Sequence, residues 1–244
     1  STELDAIDPA LTALVPNGEL TPVDYGDVCI NYDLEWFAAE GIDPPTTFDD
    51  LIDPTYADLL TVQDPTTSSP GLAFLLATIA EYGEDGWQDY WRSLVDNGVE
   101  VVDSWSTAYY ESFSGSSGDG PRPLVVSYAS SPPAEVIFAD PPRDDAPTAA
   151  MPATCFRQVE FAGVLAGTDH PDEARALVDF LASAAFQQEI ALNLFVWPAR
   201  TDVAPPAEFT EYAAVVDDPL TLAPEDIDTN RETWLDEWTQ LAIG

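Results

Sequence analysis

The stretch Gln63-Asp64-Pro65-Thr66-Thr67-Ser68-Ser69-Pro70-Gly71 joins an apolar strand-like end, Leu59-Leu60-Thr61-Val62, to a helix-like run from Leu72 to Tyr82. Pro70 suits a first helical position, the hydroxyls before it can cap free backbone N–H groups, and Gly83 suits the far end. A strand, a hydroxyl-rich turn and a helix N-terminus together receive an anionic or strongly polar ligand group well. Capping the helix would by itself also account for Ser68 and Ser69. Two other strand-like runs end in the same manner. Val99-Glu100-Val101-Val102 delivers Asp103-Ser104-Trp105-Ser106, and Leu124-Val125-Val126-Ser127-Tyr128 delivers Ala129-Ser130-Ser131 ahead of Pro132-Pro133. In open α/β sheets ligands sit at the carboxyl ends of strands, so this recurrence is what a binding cleft would produce.

Covalent chemistry is poorly served. The one histidine, His170, stands before Pro171 at a helix start, and no GxSxG elbow, Walker lysine or GxGxxG loop is present. The serine pair of Gly115-Ser116-Ser117-Gly118 has no base nearby in sequence. Carboxylates are so numerous that no pair can be singled out as acid and base. No catalytic residue, metal ligand or cofactor is expected, and the chain reads as a binding protein rather than an enzyme.

The elements that must hold these turns follow from periodicity. Residues 1–22, with Pro9, Pro16 and Pro22, read as short helix or coil and loop; Val23 to Tyr32 reads as a strand. Leu34 to Ala39 is a short helix closed by Gly41, and Thr47 caps a helix over Phe48 to Ile52 with Asp49 and Asp50 in its first turn. Trp87, Tyr90, Trp91, Leu94 and Val95 fall at helical spacing between Gly86 and Asn97, and the aromatics among them read as core. Tyr109, Tyr110 and Phe113 share a short helix after Trp105, and Ser114 to Gly120 is a small-residue loop. Phe156 to Ala166 is a strand, Pro171 to Leu181 a helix with the stripe Ala174, Leu177, Val178 and Leu181, and another helix starts near Ser183. Phe195-Val196-Trp197-Pro198 reads as extended. A last helix, Thr229 to Ile243, sets Trp234 and Trp238 on one face.

With 244 residues the chain can bury a sizeable core as one large domain or two lobes. Its 45 acidic residues face seven basic ones, all arginine, for a formal charge of −38. Such a surface excludes nucleic acid and anionic membranes as partners. The 45% apolar content argues for a packed interior. Acids scattered along the whole chain, with lysine eliminated, read as a halophilic surface. No run is long and apolar enough for a transmembrane helix. Ser1-Thr2-Glu3 reads as a start from which an upstream segment has been removed. Cys29 and Cys155, too far apart for a CxxC motif, are either two buried thiols or one disulfide.

Several of these stretches carry a family resemblance. Asp24-Tyr25-Gly26, Gln63-Asp64-Pro65 through Ser68-x-Pro70-Gly71-Leu72, Trp105-Ser106-x-Ala108-Tyr109, Val126-Ser127-Tyr128 through Ser131-Pro132, Gln158-Val159-Glu160, Ser183-x-Ala185-Phe186-Gln187, Pro198 and Trp234-x-x-Glu237-Trp238 stand in one order from about residue 20 to the end. In that set the sequence resembles the thiamine-binding, solute-binding proteins of ATP-driven (ABC) importers. The resemblance implies an α/β, two-lobed periplasmic-binding-protein fold with a hinged cleft, the N-terminal portion of the first lobe being absent. It implies residues 1–29 as N-terminal segment and first hinge strand, 30–155 as second lobe, and 156–244 as second hinge strand and the remainder of the first lobe. Ser68 and Ser69 would hold polar groups or a phosphate of the ligand, Trp105 would line the site, and Tyr128, Ala129, Ser130 and Ser131 would add contacts. Phe195 and Trp197 fall where the family offers an aromatic wall. The implied ligand is thiamine, thiamine monophosphate or thiamine diphosphate, whose thiazolium cation aromatic faces attract at roughly 0.5–2 kcal/mol each.

One departure is the absence of the tyrosine that in the family follows the Ser-Pro pair; Pro133-Ala134-Glu135 stands there instead. Alternative ligands are a polyamine or ferric iron. From another class, the chain could be an interaction module without a small ligand. The implied partner is an ABC permease; the protein is expected to be a monomer, outside the cytoplasm, lipid-anchored through an upstream segment and completed by a missing N-terminal part. The resemblance also places the hinge strands side by side, which would bring Cys29 and Cys155 within reach of a disulfide.

At 1 M salt the Debye length falls to about 3 Å, which screens the self-repulsion of this polyanion. The melting temperature is therefore expected to rise from dilute buffer to multimolar NaCl, and a scanning calorimetry series giving the same value throughout would refute the halophilic reading.

Overall fold

The computed structural model describes residues 3–116 and 120–244; Ser117 and Gly118 of the small-residue loop lie outside them. The elements run in the order α1 (Pro9–Thr12), β1 (Leu20–Asp33), α2 (Leu34–Glu40), β2 (Leu60–Gln63), α3 (Ser69–Tyr82), α4 (Trp87–Asp96), β3 (Glu100–Val102), α5 (Trp105–Thr107), β4 (Leu124–Tyr128), α6 (Pro132–Ile137), β5 (Thr148–Ala150), β6 (Phe156–Gly163), α7 (Pro171–Leu181), α8 (Ala184–Leu194), β7 (Trp197–Pro198), α9 (Ala207–Tyr212) and α10 (Pro224–Ala242). A π turn, Ala108–Ser112, continues α5. The chain divides into two compact units, residues 1–26 with 158–211, and residues 27–157 with 212–244.

In the larger unit the sheet order is β3-β2-β4-β1-β5. β2 pairs in parallel with β3 and with β4, whereas β1 runs antiparallel to β4 and β5. All four residues of β2 are buried, as a central strand requires. Helix α3 is buried along most of its length, with Phe74 and Leu75 in the core. Gly71 makes its approach feasible: a Cβ there would meet the Gln63 carbonyl oxygen at 2.5 Å. The periodic aromatics of α4 are core, as their spacing implies, and Trp91 meets Trp238 of α10 edge-on at 5.5 Å.

Trp234 and Trp238 both pack into this unit. Residues 212–244 therefore belong with 27–157, where the sequence reading kept 156–244 together in the first lobe. The pattern of α10 specifies an apolar face but not which core receives it. The helix also starts at Pro224 rather than Thr229, with Pro224 at the first helical position, where its missing N–H costs nothing. Pro132 likewise opens α6.

In the smaller unit β6 and β7 pair with β1. Ile7, Leu11, Ala182 and Ala199 form its core, flanked by Tyr25 and Val159. Of the expected stripe on α7 only Val178 is buried, and Leu177 is 58% exposed. Arg200, itself buried, donates to both carboxylate oxygens of Asp202 at 2.8 Å, to Glu3 Oε2 at 2.8 Å and to the Ala182 carbonyl at 3.0 Å. Phe195 is not extended: at φ 56° it ends α8 in the left-handed region, and only Trp197 and Pro198 form a strand.

Cys29 of β1 and Cys155 form a disulfide across 126 residues of chain. Two residues away on either side, Arg157 Nε donates to Asp27 Oδ1 at 2.5 Å and Nη2 to Oδ2 at 2.8 Å. A cross-link over so long a loop removes much unfolded-state entropy. Replacing both cysteines by serine is expected to lower stability by about 2–5 kcal/mol in urea denaturation; an unchanged midpoint would show that the bond adds nothing.

Candidate functional site

Parallel pairing of β2 with both neighbours aligns Gln63 with Val102 and Leu60 with Leu124. The carboxyl ends of β3, β2 and β4 thus leave the sheet on one edge, which brings three of the sequence-predicted segments together. Thr67 Oγ1 donates to the Asp103 carbonyl at 2.8 Å, and the Asp64 amide to the Val102 carbonyl at 2.8 Å, so the turn after β2 is tied to the turn after β3. Trp105 Nε1 donates to Ser127 Oγ at 2.9 Å, tying the latter to β4. Gln63, fully buried, donates from Nε2 to the Val126 carbonyl at 2.9 Å.

Each predicted residue at this edge has a defined place. Ser68 caps α3, its Oγ accepting from the Gly71 amide at 3.4 Å, and Ser69 is the exposed first helical residue. Ala129, Ser130 and Ser131 are buried; Ser131 Oγ lies 2.7 Å from Ser127 Oγ and accepts from the Tyr128 amide at 3.1 Å. The Ala129 amide donates to the Asp27 carbonyl at 2.8 Å. This turn chiefly holds its neighbours, and the accessible groups are Ser68, Ser69, Trp105 and Tyr128.

Two residues that sequence reasoning did not assign to the site stand behind Trp105. Tyr109 stacks on the indole, ring centroids 4.8 Å apart and 15° from parallel, and its hydroxyl donates to Glu135 Oε1 at 2.9 Å. Burial, reinforced by the nearby Glu135 carboxylate, pushes the Tyr109 phenol well up; burial also raises Glu135. The i, i+4 spacing of Trp105 and Tyr109 was a readable signal for the stack. Nothing in the sequence pairs Glu135 with Tyr109. Beside them Tyr110, Glu135, Phe138 and Arg143 line a cavity of about 590 Å³, to which Ser68, Ser69, Trp105 and Ser131 do not contribute.

Phe195 and Trp197 belong to the smaller unit, where both contact Phe209, at 5.8 Å stacked and 5.4 Å edge-on. Tyr25 pairs with Trp197 and Asp24 with Pro198 in the β1–β7 ladder. Asp24 is buried, with Oδ1 free of any hydrogen bond, and burial together with Glu160 raises its pKa to about 7.

Residues 2–218 match the family described as bacterial extracellular solute-binding protein. The chain belongs to that family. This solute-binding protein is 31% identical over 222 residues to the thiamine-binding periplasmic protein of Salmonella typhimurium LT2, and 30% to that of Escherichia coli K12. Each alignment covers 91% of this chain and 64% of the relative, so the chain spans just under two thirds of their length. A solved periplasmic thiamin binding protein superposes with a TM-score of 0.81 at 28% identity, over 98% of this chain and 70% of its own. The α/β fold of a periplasmic binding protein is thereby established for this solute-binding chain.

Folding raises the proton affinity of Asp24 from an ordinary pKa of 3.8 to about 7. Between those values the native protein holds a proton that the unfolded chain has released, so this group's contribution to stability falls as pH rises through that window. Asp24→Asn is expected to raise the melting temperature at pH 8 while changing little at pH 4, and equal effects at both pH values would contradict the assignment.

Proposed function

We propose that this chain captures thiamine or a thiamine phosphate outside the cytoplasm and hands it to the permease of an ABC importer. The observation that carries the reading is the half-buried Trp105, stacked from behind by Tyr109, on the edge where the turns after β2 and β4 also end. A cationic thiazolium gains roughly 0.5–2 kcal/mol from such an aromatic face. The hydroxyls of Ser68 and Ser69 at the start of α3 suit the alcohol or phosphate at the other end of the molecule, since a helix N-terminus favours negative charge. A disulfide agrees with an oxidising compartment, and the thiamine-binding names of the relatives support the ligand. In this reading the protein is a monomer that needs no cofactor, and its acidity serves solubility in concentrated salt.

The alternatives are less well supported. Ferric iron would need exposed oxygen ligands, and the Tyr109 hydroxyl is buried and engaged by Glu135. A polyamine has no flat ring for Trp105 to stack on.

Tryptophan fluorescence in multimolar salt tests the proposal, with thiamine, its monophosphate and its diphosphate as ligands and putrescine as control. Saturable quenching by the thiamine series is expected, weakened about 2- to 30-fold in Trp105→Ala. Saturation by putrescine, or no response from folded protein to any thiamine form, would overturn it.

A further inference from the structure

Behind Trp105 runs a continuous chain of contacts that ends on a carboxylate. Glu135 Oε1 accepts from the Tyr109 hydroxyl at 2.9 Å, Tyr109 lies flat on Trp105, and Trp105 Nε1 donates to Ser127 Oγ at 2.9 Å. Ser127 is in turn held by Ser131 at 2.7 Å, and Ser131 by the Tyr128 amide. The indole is therefore fixed at its N–H edge by β4 and on one face by Tyr109, with Tyr110 edge-on at 5.4 Å. Its remaining surface is partly open.

We propose that Glu135 is a positioning residue that sets ligand charge preference: through the Tyr109 hydroxyl it holds Trp105 in place and enriches the stacked rings in electron density, so the open indole favours a flat cation over a neutral ring of the same shape. The chemistry is general. A phenol that donates to a carboxylate becomes a more electron-rich ring, cation–π attraction grows with that richness, and a hydrogen bond inside a poorly solvated site is stronger than in water. The carboxylate adds direct Coulomb attraction to a cation on the far side. The inference deepens the thiamine reading and rests on it for the identity of the ligand.

Among the described residues, the titratable groups that contact Glu135 or line the same cavity are Tyr109 and Tyr110 from the π turn, Asp140 and Arg143 from the loop after α6, and Asp33 and Glu35 at the start of α2. Arg143 donates to Glu35 Oε1 at 2.5 Å, and Asp33 accepts from Ser114 Oγ at 2.6 Å and from the Glu35 and Trp36 amides. Burial raises the Glu135 pKa. Its ionisation is expected above the ordinary carboxylate range.

The test uses the full chain labelled with 5-fluorotryptophan in multimolar salt, read by fluorine NMR. Seven tryptophans give seven lines, and Trp105→Phe assigns the one of interest. Without ligand, the Trp105 line is expected to move with pH at a midpoint above ordinary carboxylates, and the step to vanish in Glu135→Gln and in Tyr109→Phe, which keeps the ring stack. The second arm compares thiamine with its neutral thiophene isostere, in which the charged ring nitrogen is carbon. Glu135→Gln is expected to weaken the cation about fivefold or more and leave the neutral compound nearly unchanged, with Glu135→Asp recovering part of the difference. A pH step that survives Glu135→Gln, or equal weakening of both compounds, would overturn the proposal. If wild-type protein ignores both compounds, the thiamine reading falls instead. The pyridinium cation 1-methylnicotinamide and neutral nicotinamide, used as weak ring probes of the Trp105 line, then decide the charge preference by the same comparison. The other six lines report that each variant is folded.

Discussion

The parallel pairing of β2 with β3 on one side and β4 on the other is the constraint on which the rest of the larger unit depends. Parallel strands cannot be joined by a hairpin, so each must be followed by a return path over the sheet. Here α3 and α4 make one return. The consequence is that the turns after Gln63, Val102 and Tyr128 all face the same edge. Gly71 and the buried Gln63 fit this arrangement at close quarters, one by lacking a side chain where the helix meets the strand, the other by bridging to the Val126 carbonyl. Polar side chains that would be scattered along the sequence become one cluster because three strands share a direction.

Charge acts on this framework from two directions. The net −38 opposes compaction through long-range repulsion that salt removes, while a few buried charged groups act locally where salt reaches poorly. Asp27 and Asp24 show the contrast within one strand. Asp27 is gripped by both donors of the Arg157 guanidinium beside the disulfide. Asp24, three residues earlier, has Glu160 for a neighbour instead of a cation, and burial drives it toward the neutral acid. Three of the seven arginines do local work of this kind: Arg157 pairs the buried Asp27, the buried Arg200 reaches out to Asp202 and Glu3, and Arg122 donates to the Gly98 carbonyl at 2.8 Å, whereas Arg92 and Arg175 make exposed pairs with Asp89 and Asp172.

The aromatic residues divide by the same logic of what surrounds them. Trp87, Trp91 and Trp238 are enclosed by helices and serve the core. Trp105 is held by one hydrogen bond, one stacked ring and one edge contact, with part of its surface left over. An indole so restrained would lose little rotamer freedom against a ligand.

Much of this was legible in the residues themselves. Partial alternation of apolar and polar residues marks β1 even though nearly all of it is buried, an apolar run marks β4, and Ser68, Pro70 and Gly83 punctuate α3 within a residue or two of its ends, because these signals depend on local backbone preference. The segments bearing Ser68, Trp105 and Tyr128 were identifiable because each follows a strand. What the chain order could not supply was pairing between distant segments. Trp234 and Trp238 declared an apolar face, yet only packing against Trp91 decided that α10 joins the larger unit. Phe195 carried the composition of a strand, but closing α8 required a left-handed residue there. Cys29 and Cys155 allowed two states, and the adjacency of their segments decided for the bond. Glu135 gave no local sign of its partner. Local propensity is a property of neighbouring residues, whereas the Glu135–Tyr109–Trp105 stack exists only because the sheet brings the start of α6 and the end of β3 to one place, and that is a property of the fold.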